Sequence, residues 1–355
     1  MKYKSVELRL ICSRLSSGKN IPANQVFSDK EIPVYGGNGI RGYTNKENFG
    51  GECAIIGRQG AYCGNVRYFK GKAYMTEHAV VVCANDENNT RYLAYYLSLM
   101  KLGRLSGQSA QPGLSVKTLG QQEVMMPLKS VQDKVVGILS LFDDKIAKNV
   151  AINENLEQQV STVFQAWFED FALNNNICPD SWLNGTLSDI ATVSSGKRPS
   201  IKSTSQTSEM SIPLVGAASV MGYTNKANHT DRILVTGRVG THGVIQRLNT
   251  PCWTSDNTLI ITSNYYEFTA QILKRIDYSS INRGSTQPLI TQGDMNKVLI
   301  LIPDENILAK FEGFAHTLMA QYESNERENI YLSNLRDTLL PRLMSGELDV
   351  SNIDF

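Results

Sequence analysis

Two long stretches of the chain place apolar residues at alternating steps of four and three. The first stretch, from about 132 to 171, contains no proline and a single glycine, Gly137. This spacing is typical of an α-helix with one stripe that packs against a partner helix. The pattern predicts two helices of roughly 40 residues, each about 60 Å long. The apolar positions are Val135, Leu139, Phe142, Ile146, Leu156, Val160, Val163 and Trp167 in the first helix, and Leu308, Phe311, Ala315, Leu318, Tyr322, Leu332 and Leu339 in the second.

Asparagine interrupts both stripes at matching places, and Arg336 interrupts the second stripe once more. A polar residue in such a stripe costs stability but fixes the register and the partner of the helix. If the helices run antiparallel about a pseudo-twofold axis, Asn149 faces Asn329 and Asn153 faces Asn325. The alternative is that these asparagines are tolerated polar positions near a helix surface.

The segments outside the two helices contain short apolar runs bounded by glycine and asparagine. Such runs predict buried strands at 54–56, 79–82 and 258–261, and short helices are predicted at 91–101 and 265–276. The predicted fold class is α+β, with two mixed α/β domains separated by two long helices that form an antiparallel, pseudo-twofold coiled coil. The predicted limits are 1–130 and 175–305 for the domains, and 131–174 and 306–355 for the helical segments with the C-terminal tail.

The two globular segments are copies of one sequence. The run GYTNK at 42–46 recurs at 222–226, and SGK at 17–19 recurs at 195–197. Further landmarks follow in the same order at offsets between 176 and 180 residues. A repeat of this length predicts two whole domains rather than a solenoid, and it suggests a ligand with two similar parts.

Charge is distributed unevenly along the chain, although the net charge is only +1. The helical stretches 131–173 and 306–349 hold 14 acidic and 7 basic residues. The remaining chain holds 28 basic and 20 acidic residues, a net charge of +8. Basic domains joined to acidic helices suit a protein that binds a polyanion through its domains, but the bias is modest and does not by itself indicate DNA binding.

The composition predicts neither a membrane protein nor a secreted one. No apolar run approaches the roughly 18 residues of a membrane span, and the N-terminus does not resemble a signal peptide. The six cysteines are scattered without a C-x-x-C pair, so neither a zinc site nor a disulfide framework is predicted. We expect a cytoplasmic setting, no membrane and no metal.

A Gly-Arg-x-Gly loop is present in both copies, at 57–60 and 237–240. Glycine lets the backbone approach a ligand closely, and Arg58 and Arg238 could bind phosphate or read guanine. The alternative is a surface turn with a solvated arginine. Further base-reading groups are Gln59 and Asn65 in the first copy, and His242 and Gln246 in the second.

Other polar residues, most of them at corresponding positions in the two copies, are candidates for DNA contacts or for ordinary surface and loop positions. Lysines and arginine after the Ser-Gly pairs suit phosphate. The GYTNK runs could form a turn that contacts a base or a sugar, or a structural turn. The Gln-Pro pairs could read adenine or close a loop. These candidates are Lys19, Arg41, Tyr43, Asn45, Lys46, Gln111, Lys197, Arg198, Tyr223, Asn225, Lys226 and Gln287.

Motifs for catalysis are missing from the sequence. The run at 37–42 satisfies GxGxxG, but no convincing helix start follows it, as binding of a dinucleotide requires. There is no P-loop, no HExxH and no Asn-Pro-Pro-aromatic run for orienting a target amine. We therefore expect no catalytic residues and no cofactor in this chain.

Several segments resemble the specificity subunit of type I restriction–modification systems. The helical motifs DDKI at 143–146 and NENL at 153–156, WFEDF at 167–171 and LRDTLLPRLMSGEL at 335–348 are specific to that family. The runs SGKRP at 195–199 and QP at 287–288 fit its target-recognition domains more loosely. The resemblance covers nearly the whole chain.

The resemblance implies a non-catalytic, sequence-specific DNA-binding subunit with two target-recognition domains. Each domain would bind one half of a bipartite site in double-stranded DNA, and the helices would set the gap and dock two methyltransferase subunits. Those subunits would use S-adenosylmethionine to methylate adenine, and restriction subunits with motor and nuclease activity would use ATP and Mg²⁺. The alternatives are an orphan or methylation-only DNA-binding homologue and a two-domain nucleotide-dependent enzyme.

Overall fold

The computed structural model describes residues 3–106, 113–283 and 288–351. The chain forms two compact units. Unit 1 contains Met1–Asn149 and Arg327–Phe355, and unit 2 contains Val150–Glu326. Each unit therefore combines one globular segment with part of each long helix.

The described residues of unit 1 form eight strands in two sheets. The strands are β1 (Tyr3–Glu7), β2 (Cys12–Ser17), β3 (Ile32–Gly36), β4 (Gly39–Thr44), β5 (Phe49–Gly57), β6 (Val66–Met75), β7 (Ala79–Ala84) and β8 (Glu123–Pro127). The larger sheet has the order β2-β7-β5-β6-β3-β4, and β1 pairs with β8 in a separate sheet. All pairs are antiparallel except β3 with β6, which is parallel.

The helices that begin in unit 1 are α1 (Thr90–Leu99), α2 (Val116–Gly120) and α3 (Lys129–Phe164). Helix α1 begins where the side chain of Asn89 accepts a hydrogen bond from the backbone N–H of Tyr92. Its buried residues Leu93 and Leu97 pack in one apolar core with Val82 of β7. The strands and the helix predicted at 54–56, 79–82 and 91–101 are confirmed.

Unit 2 repeats this arrangement. Its strands are β9 (Leu183–Thr186), β10 (Ala191–Ser195), β11 (Ile212–Val215), β12 (Val220–Thr224), β13 (Ile233–Gly237), β14 (Gln246–Leu248), β15 (Trp253–Thr254), β16 (Thr258–Ser263) and β17 (Leu299–Ile302). The helices that begin in unit 2 are α4 (Tyr266–Arg275), α5 (Gln292–Asn296) and α6 (Glu305–Ser345). The predicted strand at 258–261 and the predicted helix at 265–276 are confirmed.

The two units have the same strand order, with one difference. In unit 2 the sheets are β10-β16-β13-β14 and β12-β11-β15, and β17 pairs with β9. The long strand β6 of unit 1 corresponds to the two short strands β14 and β15, so one large sheet becomes two smaller ones. The parallel pair of β11 with β15 matches the parallel pair of β3 with β6. The repeat in the sequence is therefore a repeat of the fold.

An aromatic cluster closes the core of unit 2 against the end of α3. Phe164 and Phe168 contact Phe268 of α4 and Phe311 of α6, with ring centroids 5.0 to 5.7 Å apart. The α-helical pattern predicted to about residue 171 ends at Phe164, and a π-helical turn over Gln165–Glu169 follows. This turn carries Phe168 into the cluster, where it is buried.

The long helices contact each other within each unit through the asparagines. In unit 1, Asn149 Nδ2 donates to Asn329 Oδ1 over 2.9 Å. In unit 2, Asn325 Nδ2 donates to Asn153 Oδ1 over 2.8 Å. Both contacts are the ones expected of antiparallel helices. A coiled coil with pseudo-twofold symmetry, and a role for these residues in fixing the register, remain predictions.

Arg336, which interrupts the second apolar stripe, has a partner on the first helix. Its Nη1 lies 2.7 Å from Asp143 Oδ1. Asp143 also accepts hydrogen bonds from Arg91 and from the hydroxyl of Tyr95, both on α1. The arginine therefore belongs to a polar network that ties both long helices to the globular part of unit 1.

Candidate nucleic-acid interface

The two Gly-Arg loops are held by the same backbone hydrogen bonds. The N–H of Arg58 donates to the carbonyl of His78 over 2.9 Å, and its carbonyl accepts from the N–H of Leu114 over 2.8 Å. The N–H of Arg238 donates to the carbonyl of Asn257 over 2.8 Å, and its carbonyl accepts from Ile290 over 3.0 Å. Each arginine therefore directly follows the last residue of its strand, β5 or β13, and the same two backbone hydrogen bonds hold it in both units.

The Ser-Gly-Lys loops meet the end of the neighbouring strands at very short range. A Cβ atom on Gly18 would lie 2.0 Å from the carbonyl oxygen of Met75, and one on Gly196 would lie 2.0 Å from that of Ser255. Only glycine allows this approach, because any side chain would overlap the backbone. The loop in unit 1 also touches the arginine, since Arg58 Nη1 lies 3.4 Å from Ser17 Oγ.

An aromatic side chain fixes the same loop in each unit. The hydroxyl of Tyr74, on β6, donates to the carbonyl of Asn20 over 3.0 Å. The indole N–H of Trp253, on β15, donates to the carbonyl of Lys197 over 2.6 Å. These bonds hold the backbone next to the candidate lysines, so Lys19 and Lys197 project from anchored loops.

Sequence reasoning missed an asparagine that stabilises both copies. Asn48 Nδ2 donates to the carbonyl of Met75, and its Oδ1 accepts from the N–H of the same residue over 2.7 Å. Asn228 makes the same pair of bonds with Thr254. The signal was present, because both asparagines follow the GYTNK runs by two residues.

The guanidinium groups of the two arginines are weakly engaged. Arg58 Nη1 makes only long contacts, of 3.4 Å with Ser17 and 3.5 Å with the carbonyl of Glu77. The Nε of Arg238 is buried and has no hydrogen-bond partner among the described residues. Neither guanidinium therefore has a close polar partner among the described residues, although the buried Nε of Arg238 is itself out of reach of a ligand.

Most of the candidate cations have no carboxylate partner within the described part of the chain. Arg198 is the exception, because its Nε lies 3.3 Å from Asp256, in a largely solvated pair. Unpaired cations on anchored loops suit the phosphates of a nucleic acid. The unpaired candidates are Lys19, Arg41, Lys46, Arg58, Lys197, Lys226 and Arg238.

The predicted base-reading residues differ in how far the fold already uses them. Gln59 and Asn65 are exposed in the loop after β5. Gln246 Nε2 donates to the carbonyl of Gly216 over 2.8 Å, and His242 Nδ1 lies 3.1 Å from the carbonyl of Gly237. His242 and Gln246 therefore have structural partners, and Gln246 has its amide oxygen left for a ligand.

The GYTNK runs do not form the turns that were considered for them. Tyr43 lies in β4 and Tyr223 in β12, where each pairs through its backbone with an extended loop residue, Phe27 or Ser203. The alternating pleat of an edge strand, rather than a turn, sets the direction of these tyrosines. The chain bends only at the next residues, where Asn45, Lys46, Asn225 and Lys226 are exposed.

The structure brings some of the candidates together and leaves others apart. The loops that carry Lys19 and Arg58 are in contact. Lys197 and Arg198 lie beside the segment 254–258, and the backbone N–H of Arg238 donates a hydrogen bond to that same segment. Lys46 instead contacts Gln25, 3.3 Å away. Gln111 and Gln287 lie outside the described residues.

Nothing in the described ranges favours nucleotide or covalent chemistry. The GxGxxG run lies in the hairpin between β3 and β4, and a strand follows it rather than the helix that binds a pyrophosphate. Burial raises the pKa of Cys12 and of Cys53 to about 12, so these thiols stay protonated. Residues 3–106, 113–283 and 288–351 contain no group of side chains arranged to hold a metal, and no helix among them could cross a membrane.

Comparisons with known proteins agree on one family. The model of the type I restriction modification DNA specificity domain matches residues 2–158 and 179–324. The chain is 40% identical over 134 residues to the EcoprrI specificity subunit of Escherichia coli, covering 37% of this chain and 33% of that subunit. It is 26% identical over 302 residues to the MjaIX specificity subunit of Methanocaldococcus jannaschii, covering 73% and 69%.

A solved structure has the same fold. The S subunit of a type I restriction–modification system from M. genitalium matches with a TM-score of 0.63 at 16% identity, covering 97% of this chain and 96% of that one. The relatives are specificity subunits, which supports the expectation that this chain is not an enzyme. Because the family model matches both halves of the chain, the protein belongs to the type I restriction–modification DNA specificity family.

Proposed function

We propose that this chain is the sequence-specific DNA-binding subunit of a type I restriction–modification complex and that it recognises a bipartite site in double-stranded DNA. One observation carries the proposal: both units hold an arginine, Arg58 or Arg238, on the same backbone bonds, and neither guanidinium has a carboxylate partner among the described residues. Two copies of one binding loop suit a ligand with two halves. Each target-recognition domain would read one half-site.

The residues around the arginines would make two kinds of DNA contact, to phosphates and to base edges. Lys19, Lys197 and the arginine donors would contact phosphates and position the domain, since phosphate contacts carry little sequence information. Gln59, Asn65 and the free amide oxygen of Gln246 would contact base edges in the major groove. The two copies differ at these base-reading positions, so the half-sites would differ in sequence.

The long helices would set the gap between the half-sites and dock two methyltransferase subunits. The asparagine pairs Asn149–Asn329 and Asn153–Asn325 support this role, because buried polar pairs favour one helix register over its alternatives. The methyltransferase subunits would bind S-adenosylmethionine and methylate adenine. Restriction subunits would add ATP- and Mg²⁺-dependent cleavage.

Sequencing of methylated bases in the host genome, with and without this chain, tests the proposal. We expect a bipartite methyladenine motif with a fixed gap that disappears when the chain is deleted. Unchanged methylation, with the methyltransferase genes intact and expressed, would contradict the proposal and favour an orphan DNA-binding homologue.

The gap is tested separately by lengthening the helices. One heptad is inserted in α3 between the asparagines Asn149 and Asn153, and another in α6 between Asn325 and Asn329, so that both pairs can still form. The expected result is a motif with the same half-sites and a different gap. An unchanged gap would show that the helices do not act as the spacer.

A further inference from the structure

Unit 1 contains a cavity of about 680 Å³, and its lining includes the candidate base-reading residue Asn65. It lies between the loop that joins β5 to β6 and the segment that follows α1. The two walls touch at Gly64, where a Cβ atom would lie 2.1 Å from the backbone nitrogen of Gly103. This close approach fixes the walls of the cavity against each other.

Three basic side chains line the cavity: Arg67, Lys101 and Arg104. All three are exposed, and none has a hydrogen bond or an ion pair with its side chain within the described residues. No carboxylate belongs to the described lining. A concave site lined by one sign of charge concentrates counter-ions, so the cavity is suited to an anion.

Arg67 and Lys101 differ in their settings. The guanidinium of Arg67 lies near the β3–β4 hairpin, with Nη1 2.7 Å from where a Cβ of Gly39 would be. Lys101 adopts the left-handed conformation, with φ of 48° and ψ of 55°, at the end of α1. Glycine or asparagine is usual at such a position, so a lysine there is not explained by the backbone alone.

The equivalent place in unit 2 lacks every one of these charges. The corresponding loops are near each other there too, because a Cβ of Gly243 would lie 3.3 Å from the ring of Tyr278. Gln246 is the counterpart of Arg67, because Gln246 pairs with Val235 of β13 and Arg67 pairs with Ile55 at the equivalent place in β5. By position after the short helix, Lys101 corresponds to Asp277 and Arg104 to Ser280. The basic cavity is therefore not required by the shared fold.

We propose that this cavity of unit 1 is a phosphate-binding site, with Arg67, Lys101 and Arg104 as its ligand donors. The source of the phosphate rests on the proposed function. The cavity is continuous with the loop that carries Asn65, a candidate base-reading residue, so the phosphodiester backbone of the bound DNA would supply it. A small phosphate compound is the other source of the same chemistry.

The salt dependence of DNA binding tests the site in the full chain. The probe is a short random-sequence duplex, and the variant is Lys101→Gly with Arg104→Ala, since glycine suits the left-handed backbone at Lys101. The logarithm of the DNA association constant falls linearly with the logarithm of the salt concentration, and each lost phosphate contact makes this slope less steep by about 0.9. The double variant should therefore make the slope less steep by about 1.8. The matched control, Lys117→Ala with Lys148→Ala, removes two exposed and unpaired charges elsewhere in unit 1 and should leave the slope unchanged.

Calorimetric titration with inorganic pyrophosphate distinguishes the two sources. A lowered DNA slope in the variant supports the site with DNA as the source. An unchanged slope with loss of pyrophosphate binding supports the site with a small phosphate compound as the source. If the wild-type chain bound no DNA, and the double variant lost the pyrophosphate binding of the wild type, the proposed function would be contradicted. The assignment of the phosphate site to Lys101 and Arg104 would still be supported. Equal slopes and equal pyrophosphate binding in wild type and variant would overturn the site.

The charge-conserving variant Arg104→Lys separates charge loss from misfolding. It should keep the wild-type slope, because a lysine can still neutralise a phosphate. A less steep salt dependence of DNA binding in this variant, with an unchanged melting curve, would contradict the assignment of Arg104.

Discussion

Arg91 and Glu267 occupy the same place in the two units, the second residue of α1 and of α4, but they carry opposite charges. Arg91 reaches the acidic residues Asp143 and Asp144 on α3. Glu267 is only 1% exposed and accepts hydrogen bonds from Arg232 and Arg247 of its own globular segment. The start of this helix therefore carries a paired charge in both units, and the sign of that charge differs between them.

The start of the same helix is anchored to a long helix by different side chains in the two units. In unit 1, Gln132 of α3 is fully buried and accepts a hydrogen bond from the N–H of Asn89 over 2.8 Å. In unit 2, Glu312 of α6 accepts from the N–H groups of Glu267 and Phe268 over 3.1 and 2.7 Å. Unpaired N–H groups at a helix start need acceptors, and either an amide or a carboxylate provides them.

The paired long helices differ in the same manner. The ion pair of Asp143 with Arg336 in unit 1 corresponds, at an offset of 176 residues, to Met319 and Val160 in unit 2. Both of these residues are buried in one apolar cluster. An ion pair can be replaced by a pair of apolar residues at little cost in stability when both residues change together. Removing only one partner of an ion pair is destabilising, because it leaves the other charge without its partner.

The largest effect is expected from breaking the buried pair in unit 2. Glu267→Gln leaves two guanidinium groups without their shared carboxylate, and we expect a loss of about 3–5 kcal/mol in the free energy of unfolding. All three tryptophans, Trp167, Trp182 and Trp253, lie in unit 2, so tryptophan fluorescence in urea reports on that unit. The control Glu157→Gln removes the more exposed pair with Lys274 and should cost about 0.2–1 kcal/mol. Equal costs for the two variants would contradict the account of Glu267.

A smaller effect is expected from the equivalent network in unit 1. Asp143→Ala removes the shared acceptor of Arg91, Tyr95 and Arg336, and we expect a loss of about 1.5–3 kcal/mol. The neighbouring Asp144→Ala removes a carboxylate that is 61% exposed and should cost less than about 1 kcal/mol. Amide hydrogen exchange in α1 measures both. Unchanged protection of α1 in the Asp143 variant would show that the network does not anchor this helix.

The smallest effect concerns the pH dependence of unit 2. Burial raises the pKa of Glu312 above its ordinary value, although the N–H groups of α4 oppose the shift. A raised folded pKa means that the folded state holds its proton longer, so the contribution to stability is full below the unfolded pKa and is lost as the pH rises through the folded pKa. The stability of wild type relative to Glu312→Gln should therefore fall as the pH rises above about 4.5. Tryptophan fluorescence in urea, measured across this range, checks the sign, and a relative stability that rises with pH would contradict it.

Local periodicity predicted the long helices and the strands at 54–56, 79–82 and 258–261, and the repeat predicted that the globular fold occurs twice. The steps of four and three predicted α3 and α6, and the matching asparagines predicted the Asn149–Asn329 contact. The strand identity of Tyr43 was missed because GYTNK contains turn-forming residues, whereas pairing with the distant Phe27 decides its conformation. The acceptors Gln132 and Glu312 could not be assigned either, since each meets a helix start more than forty residues away.

The candidate site was predictable in its anchors and not in its ligand groups. The repeated Gly-Arg loops located Arg58 and Arg238, because glycine and arginine both survive in the two copies. The basic cavity of Arg67, Lys101 and Arg104 was missed, since its residues are distant in sequence and have no counterparts in the second copy. A search for repeated features finds what the copies share and overlooks what distinguishes them.

The independence of the two copies is tested most directly by sequencing methylated bases in strains that carry Arg58→Ala or Arg238→Ala. Equivalent backbone bonds hold the two arginines in separate domains, so each variant should relax or abolish recognition of one half-site and leave the other half-site and the gap intact. Loss of both half-sites from either substitution, or of neither from both, would contradict the account.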